Sequence, residues 1–564
     1  MSQKRITVTS ALLYANGPLH LGHVAGAYLP ADIFVRYQKL KGEDVLFICG
    51  SDEHGAAITL QAKKEKITPK EIVDKYHKMN KETFEKFGID FSIYHRTTEK
   101  IHHETATDFF LKLESKNGLI KHTTQQFYDN KYNQFLADRY ICGECPKCNY
   151  ENAYGDQCEK CGSALSPNEL LNPKSTLSGK SPVMKETTHW YLQMQKHEAW
   201  LKKWLEEGVL DDVKIHNPKE WRSQVLGQCK SWIDGGLKER AMTRDLDWGV
   251  KVPLKNAKNK VLYVWLDAPI GYISATKEWA KQNGKNWEDY WQEKETDLIH
   301  FIGKDNIVFH CIIFPIILKI HGNYILPKNV PANEFLTLEG GKLSTSRNWA
   351  IWMHEYLEDF KGYEDAMRYV LCSTSPENKD TDFTWKDFQA RNNNELVSIY
   401  GNFINRVLVL TNKYWDGIVP HCGSLNKYDK EIINKLIAAP KKIGEHISKY
   451  QFKDALTELM NLARVGNKYL TDMEPWKLYN SNPKRTETII YICLQITSAL
   501  CVLSNPFMPF SSKKLKAILN LKQMKWHDVT FGILKSESQI QNIEHLFHKV
   551  EDLQINKQLK KLHS

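Results

Sequence analysis

The first fifty residues read as strand, helix, strand, and that order restricts the fold more than any other stretch. Residues 5–13, RITVTSALL, alternate polar and apolar side chains as a strand does. A turn follows at Asn16-Gly17-Pro18. From Ala25 to Lys41 the apolar residues recur at helical spacing, and Gly42 follows them as a C-terminal stop signal. Residues 45–49, VLFIC, form the continuous apolar run expected of a strand buried on both faces. A βαβ unit joins parallel strands through a right-handed crossover, so the fold class is α/β.

Further along, strand-like runs return at 261–266 (VLYVWL) and at 298–302, while a dense cysteine cluster at 142–161 interrupts the pattern. The expectation is a split, doubly wound (Rossmann-type) parallel sheet. Its first half spans 1–118 and its second half 246–330, with a connective insertion at 119–245. After about residue 390 helical periodicity dominates, as in NELVSIYGNFINRVLVLTNKYW, so an all-α bundle is expected over 391–564. The last residues, KVEDLQINKQLKKLHS, are charged and predict a fraying helix.

A chain of 564 residues exceeds what one hydrophobic core organises, so two to four domains are expected. Lys and Arg number 77 against 67 Asp and Glu, a net charge of +10. That excess suits a polyanion such as RNA, and equally an ordinary solvated surface. The N-terminus lacks the apolar core of a signal peptide, and apolar runs such as Cys311 to Leu318 are too short to cross a bilayer. A cytoplasmic protein with no membrane partner is expected. Its twelve cysteines then read as metal ligands or buried thiols rather than disulfides.

Four of them form two hooks, Cys145-x2-Cys148 and Cys158-x2-Cys161. This spacing gives four thiolates to one tetrahedral zinc ion, in a closed site with a structural role. The knuckle is placed at 142–162. Cys142-x2-Cys145 has the same hook spacing, but Cys145 and Cys148 are the better pair, with Pro146-Lys147 between them as in a zinc ribbon.

His20-Leu21-Gly22-His23 sits where the first strand passes into the first helix, the place where ligands bind in a doubly wound sheet. A helix N-terminus offers free N–H groups and a positive dipole end to phosphate. The two histidines can donate hydrogen bonds to a pentavalent phosphorus, and Gly22 lets a flat base approach the backbone. Roughly three hundred residues later lies Gly341-Lys342-Leu343-Ser344-Thr345-Ser346-Arg347. It resembles the K-M-S-K-S loop that accompanies H-I-G-H in class I aminoacyl-tRNA synthetases. The resemblance implies an ATP site made by His20, Gly22, His23, Lys342, Ser344, Thr345 and Ser346, with His20, His23 and Lys342 catalytic. Thr345 replaces the family's second lysine and supplies no charge. Lys342, with Arg347, is left to carry the electrostatic work.

Other segments narrow the resemblance to the methionyl-tRNA synthetase family. They are residues 11–17 (ALLYANG), 47–55 (FICGSDEHG), 263–272 (YVWLDAPIGY) and 301–305 (FIGKD) with His310. A thioether is polarizable and gains from aromatic contact. Tyr14, Trp265 and Tyr272 supply the rings, and by resemblance Leu12, Pro269 and His310 complete the wall. Asp52 follows the buried strand and is expected to pair with the substrate ammonium. Asp305 contacts either the ribose or a helix N-terminus. The loop and a tRNA stem-contact region occupy 331–390. In the bundle, Asn402, Arg406 and Trp476 match the family's anticodon readers, with edge contacts from Asn and Arg and stacking from Trp.

The resemblance thus implies a ligase that activates methionine with ATP and loads methionine tRNAs for initiation and elongation, with Mg²⁺ accompanying ATP. A synthetase for leucine, isoleucine or valine is the rival within the class, although such enzymes carry a longer insertion. A non-catalytic RNA-binding relative is the rival outside it, favoured by Thr345 alone. The helical part is expected to reach about residue 550, leaving no room for the family's extra C-terminal barrel, so a monomer is expected.

Overall fold

The computed structural model describes residues 3–562 apart from 137, 156, 157, 159, 162, 164, 346 and 347. Strand Arg5–Ser10 lies at the centre of a parallel sheet, between Asp44–Asp52 and Asp297–Gly303. Ile93–Arg96 extends the sheet beyond the former and Ala332–Asn333 beyond the latter. The chain therefore leaves the central strand to one side and returns on the other. That reversal opens a crevice at the carboxyl ends of the strands.

The first strand is shorter than the alternation predicts. It stops at Ser10, the Ala11 N–H turns to the carbonyl of Phe301, and Leu13–Tyr14 then pairs with Ser51–Asp52. The helix after it begins earlier than expected. It starts at Leu21 because His20 caps it, passes through a wide turn at Val24–Tyr28, and continues as Leu29–Lys41. Gly42, at φ 90°, closes it with its N–H on the carbonyls of Gln38 and Lys39, a left-handed stop that glycine adopts without strain.

The strand expected at 261–266 is corrected. Only Val261–Leu262 is extended, pairing with Thr243–Arg244. Tyr263 caps a helix over Val264–Asn283. A short apolar run looks the same in a buried strand and in a buried helix, and the apolar run here continues into a helix buried along most of its length.

The segment between the two halves of the sheet is built on the antiparallel pair Leu119–Asp129 and Val183–Leu192. A small three-stranded sheet, Ile141–Glu144, Ala153–Tyr154 and Leu171–Ser175, carries the cysteine hooks. The C-terminal third is a helical bundle of Asn402–Trp415, Lys427–Ser448, Phe452–Met473 and Pro483–Leu503. The last of these is long and apolar enough to cross a bilayer, against the expectation from shorter runs. Its apolar window is 94% buried inside the bundle. Buried Arg368 ties the end of the bundle to the helix Leu29–Lys41. Its guanidinium reaches Asp32 at 2.6 Å and the carbonyls of Pro506 and Phe507 at 3.0 Å.

The C-terminal end also departs from expectation. Between 519 and 551 the chain is mostly irregular, with one short turn at Trp526–Asp528. Asp552–Leu562 is then a helix anchored on Asp359, which accepts from Lys557 at 2.9 Å, Gln558 at 2.8 Å and Lys561 at 2.5 Å. One buried-side acceptor with three donors holds the helix that charge alone suggested would fray.

Candidate active site

The site forms where the central strands end. His20 is the N-cap of the first helix, and its Nδ1 accepts from the backbone N–H of His23 while His23 Nδ1 accepts from that of His20. Their rings stack at 3.5 Å. Because each Nδ1 accepts, each ring proton sits on Nε2, free to donate outward. Burial pushes both imidazoles down, His20 well below its usual range with His23 adding to it, and His23 to about 4. Both rings are therefore neutral donors at pH 7.

The loop at 341–349 closes over this helix start. Gly341–Lys342 pairs with Thr337–Leu338, and Ser344 and Trp349 exchange backbone hydrogen bonds at 3.0 and 2.9 Å. Leu343 reaches so far that a Cβ on Gly22 would lie 2.5 Å from its Cδ1. The space above Gly22, expected for a base, is taken here by Leu343. Beyond the loop, Leu21 N–H donates to Ile351 and Met353 N–H to Leu19. Lys342 is exposed and Thr345 lies in the turn; Ser346 and Arg347 lie outside the described residues.

Three of the residues expected to wall the methionine pocket lie on one face of the helix Val264–Asn283. Trp265, Pro269 and Tyr272 follow one another at helical spacing. Leu12 packs on Gly271, where a Cβ would meet its Cδ1 at 2.7 Å. Buried Tyr272 donates to His310 Nε2 at 2.9 Å, and His310 Nδ1 donates to the Asn306 carbonyl at 3.1 Å. Burial holds His310 down near 4, consistent with that neutral tautomer. Arg240 lies over the Trp265 ring at 4.7 Å. Tyr14 donates to the His54 carbonyl at 2.6 Å.

Asp52 is 6% exposed, and burial, with the charge of Asp267, pushes its carboxyl up to about 8. Among the described residues no side-chain cation pairs with it, whereas its neighbours Glu53 and Asp267 both have side-chain partners. Glu53 is held by Arg96 at 2.9 Å, and Asp267 by His54 at 2.7 Å and His102 at 2.6 Å. Asp305 is exposed in the turn after Asp297–Gly303, at the mouth of the crevice.

Sequence reasoning passed over His54, His102 and Asp267. The signal was present: Asp267 sits inside the apolar stretch 263–272, and a carboxylate in such a run must find a buried partner.

Away from the crevice, the sulfurs of Cys145 and Cys161 lie 3.9 Å apart and those of Cys148 and Cys158 3.6 Å apart. All four lie within 4.8 Å of one another. A zinc–sulfur bond of about 2.3 Å gives a tetrahedral edge of about 3.8 Å, so the set fits one such ion. Cys142 is not in the set, and its thiol points to the Lys174 carbonyl at 3.7 Å. On the bundle, Arg406 lies over the ring of Trp476 at 5.2 Å. Trp476 is 37% exposed, and Asn402 is exposed one helical turn before Arg406.

The family model described as "tRNA synthetases class I (M)" matches residues 6–408, and that for the "anticodon binding domain of methionyl tRNA ligase" matches 419–563. The chain belongs to the methionyl-tRNA synthetase family. Family membership makes it a ligase that activates methionine and charges tRNA, with ATP, methionine and tRNA as its partners. The methionine–tRNA ligase of Cytophaga hutchinsonii is 58% identical over 99% of this chain and 81% of its own length. That of Bacteroides fragilis is 57% identical over the same shares. The methionyl-tRNA synthetase of Mycobacterium tuberculosis, solved with methionyl-adenylate, shares the fold at a TM-score of 0.80 and 22% identity. That superposition covers 97% of this chain and all of the other. The rival assignment to leucine, isoleucine or valine falls with these matches. The cysteine set can hold a metal ion.

Proposed function

We propose that Asp52 receives the methionine ammonium, and that this one pairing fixes the amino acid in the crevice. The observation that carries it is a buried carboxylate with no side-chain salt bridge among the described residues, its carboxyl pushed up to about 8 by burial, beside a set of aromatic rings. A substrate ammonium supplies the missing charge, and pairing brings Asp52 back to its ionised form. Tyr14, Trp265 and Tyr272 then surround the thioether, with Leu12, Pro269 and His310 closing the pocket.

The methionine carboxylate attacks the α-phosphorus of ATP, a new P–O bond forms, and the bond to pyrophosphate breaks. His20 and His23 donate through Nε2–H to the phosphate oxygens, and Lys342 meets the charge that develops on the departing pyrophosphate. Gly22, Ser344, Thr345 and Ser346 complete the ATP site, and Asp305 marks the ribose side. Mg²⁺ bound with ATP would supply positive charge to the phosphates beside Lys342. The terminal hydroxyl of tRNA next attacks the methionyl carbonyl and releases AMP.

Zinc is the metal for Cys145, Cys148, Cys158 and Cys161, in a structural role, since four thiolates leave no open position. Asn402, Arg406 and Trp476 read the anticodon of methionine tRNAs, for initiation and elongation alike. The division at 118, 245, 330 and 390 separates these tasks, and the cytoplasm is where they are carried out.

Asp52→Asn and Trp265→Ala test the reading. Each is expected to raise the methionine KM by about tenfold or more and leave the ATP KM unchanged, as loss of one charged or one well-packed contact does. A methionine KM equal to wild type in Asp52→Asn would remove Asp52 from the ammonium site.

A further inference from the structure

The three carboxylates Asp52, Glu53 and Asp267 crowd one corner of the crevice, and among the described residues Glu53 and Asp267 have ion-pair partners while Asp52 does not. Glu53 takes Arg96 in both-oxygen contact at 3.0 and 2.9 Å, and Arg96 also reaches Asp74 at 2.6 Å. Asp267 is fully buried and splits its oxygens between two rings. Oδ2 meets His54 Nδ1 at 2.7 Å, and Oδ1 meets His102 Nε2 at 2.6 Å, with Ser274 at 3.0 Å on the far nitrogen of His102. The loop between Asp52 and Gly55 is pinned at each residue. Ala15 donates to the Asp52 carbonyl, Trp248 to that of Glu53 and Tyr14 to that of His54. Such pinning leaves little freedom for Asp52 to move away from its neighbours' charges.

We propose that His54 and Asp267 are positioning residues for methionine binding: the His54 ring, hydrogen-bonded to Asp267, offsets that carboxylate, so that Asp52 gives up its proton more readily as the substrate ammonium arrives. The inference rests on the reading of Asp52 as the ammonium partner.

The groups facing Asp52 set the sign. From its own loop come Glu53 and His54. From the helix Lys100–Ser115 come His102 and His103, whose ring lies 5.3 Å from that of His54. From the helix Val264–Asn283 come Asp267 and Tyr272, and behind Glu53 stand Arg96 and His77. Burial and the anions Asp267 and Glu53 disfavour a charged Asp52, while His54 favours it. Burial works against the His54 imidazolium, but Asp267 overrides it and holds its proton on above the usual histidine range. Removing the His54 charge therefore takes away a group that favours a charged Asp52 and leaves His102 as the remaining partner of Asp267. Removing the Asp267 charge relieves Asp52 instead. A role in packing alone has no such opposite signs.

The experiment follows kcat/KM for methionine in ATP–pyrophosphate exchange from pH 6 to pH 9, at saturating ATP, on the full chain. His54→Gln keeps a neutral donor toward Asp267, and Asp267→Asn keeps the side-chain shape. His54→Gln is expected to move the acid limb up by about one pH unit and to raise the methionine KM at pH 7 about tenfold. Asp267→Asn is expected to move the limb down. The ATP KM should stay at the wild-type value in both. If Asp267→Asn does not fold, His54→Gln decides alone. A His54→Gln profile that superimposes on wild type overturns the inference. Asp52→Asn separates the two levels. If it weakens methionine while His54→Gln leaves the profile in place, only the inference fails. If Asp52→Asn binds methionine like wild type, the reading of Asp52 fails and takes the inference with it.

Discussion

Tyr14 and Asp52 are register partners in the parallel sheet, although the strand that carries Tyr14 has already broken once. The break after Ser10 shifts Leu13–Tyr14 to the end of Asp44–Asp52, which puts an aromatic ring beside the buried carboxylate. Tyr14 then donates to the His54 carbonyl two residues on. Gly55 makes room for it: its φ is 103°, and a Cβ there would lie 2.7 Å from the Tyr14 hydroxyl. A sheet end, an irregular strand and one glycine together shape the corner of the crevice around Asp52.

The cysteine set gives the first prediction. Purified protein should carry about one zinc per chain by elemental analysis, and Cys158→Ser should lose it. The strands Ile141–Glu144 and Leu171–Ser175 should then exchange amide hydrogens faster while the parallel sheet keeps its protection. Full zinc occupancy in Cys158→Ser would refute the ligand set.

These features differ in how openly the chain displays them. His20 to His23, 47–55 and the cysteine hooks are local patterns, so their spacing alone reveals them. The Asp267–His54 pair joins residues 213 positions apart, and nothing local announces which histidine a buried aspartate will meet. Leu343 over Gly22 is hidden for the same reason. The helix at Val264–Asn283 was concealed by its own hydrophobicity, because a segment buried all round has no polar face to mark its period. The anchored C-terminal helix was concealed by charge, since Lys557 and Lys561 look solvated until Asp359 is placed beneath them.

The loop gives the second prediction. Lys342→Ala should slow adenylate formation by about 100-fold with little change in methionine KM, as loss of a group that acts mainly on the transition state does. Thr345→Lys should be tolerated and should speed the step, because it returns a cation beside the phosphates. Pre-steady-state adenylate formation measures both. A Lys342→Ala enzyme of wild-type rate would move the phosphate role elsewhere.

On the bundle, Arg406 lies over the ring of Trp476, which is 37% exposed, and this pair is the proposed anticodon contact. Trp476→Ala should lower tRNA aminoacylation by at least about tenfold, in line with about 1–3 kcal/mol for a lost base stack. Pyrophosphate exchange without tRNA should be unchanged, since the adenylation crevice does not contain Trp476. Equal loss in both assays would point to damage in the bundle instead.

Acid should release the C-terminal helix before the core. Burial works against the Asp359 anion, yet Lys561, Gln558 and Lys557 hold its carboxyl down at about 2. A depressed carboxylate gives stability that is present above its unfolded value of 3.8 and is lost as pH falls through about 2. The lysines are partly solvated, so the contribution is about 1–2 kcal/mol. Hydrogen exchange over 552–562 should rise from pH 4 to pH 2, and Asp359→Asn should show the same fast exchange at pH 7. Protection that persists in Asp359→Asn would mean that apolar contacts alone dock the helix.

The central claim is that this crevice activates methionine. Amino-acid-dependent ATP–pyrophosphate exchange tests it most directly, with methionine, leucine, isoleucine and valine supplied one at a time. The account predicts exchange with methionine and exchange at least about 100-fold weaker with the other three, the discrimination a shaped pocket of aromatic rings gives against branched side chains. No exchange with methionine, or exchange with leucine at the same rate, would contradict it.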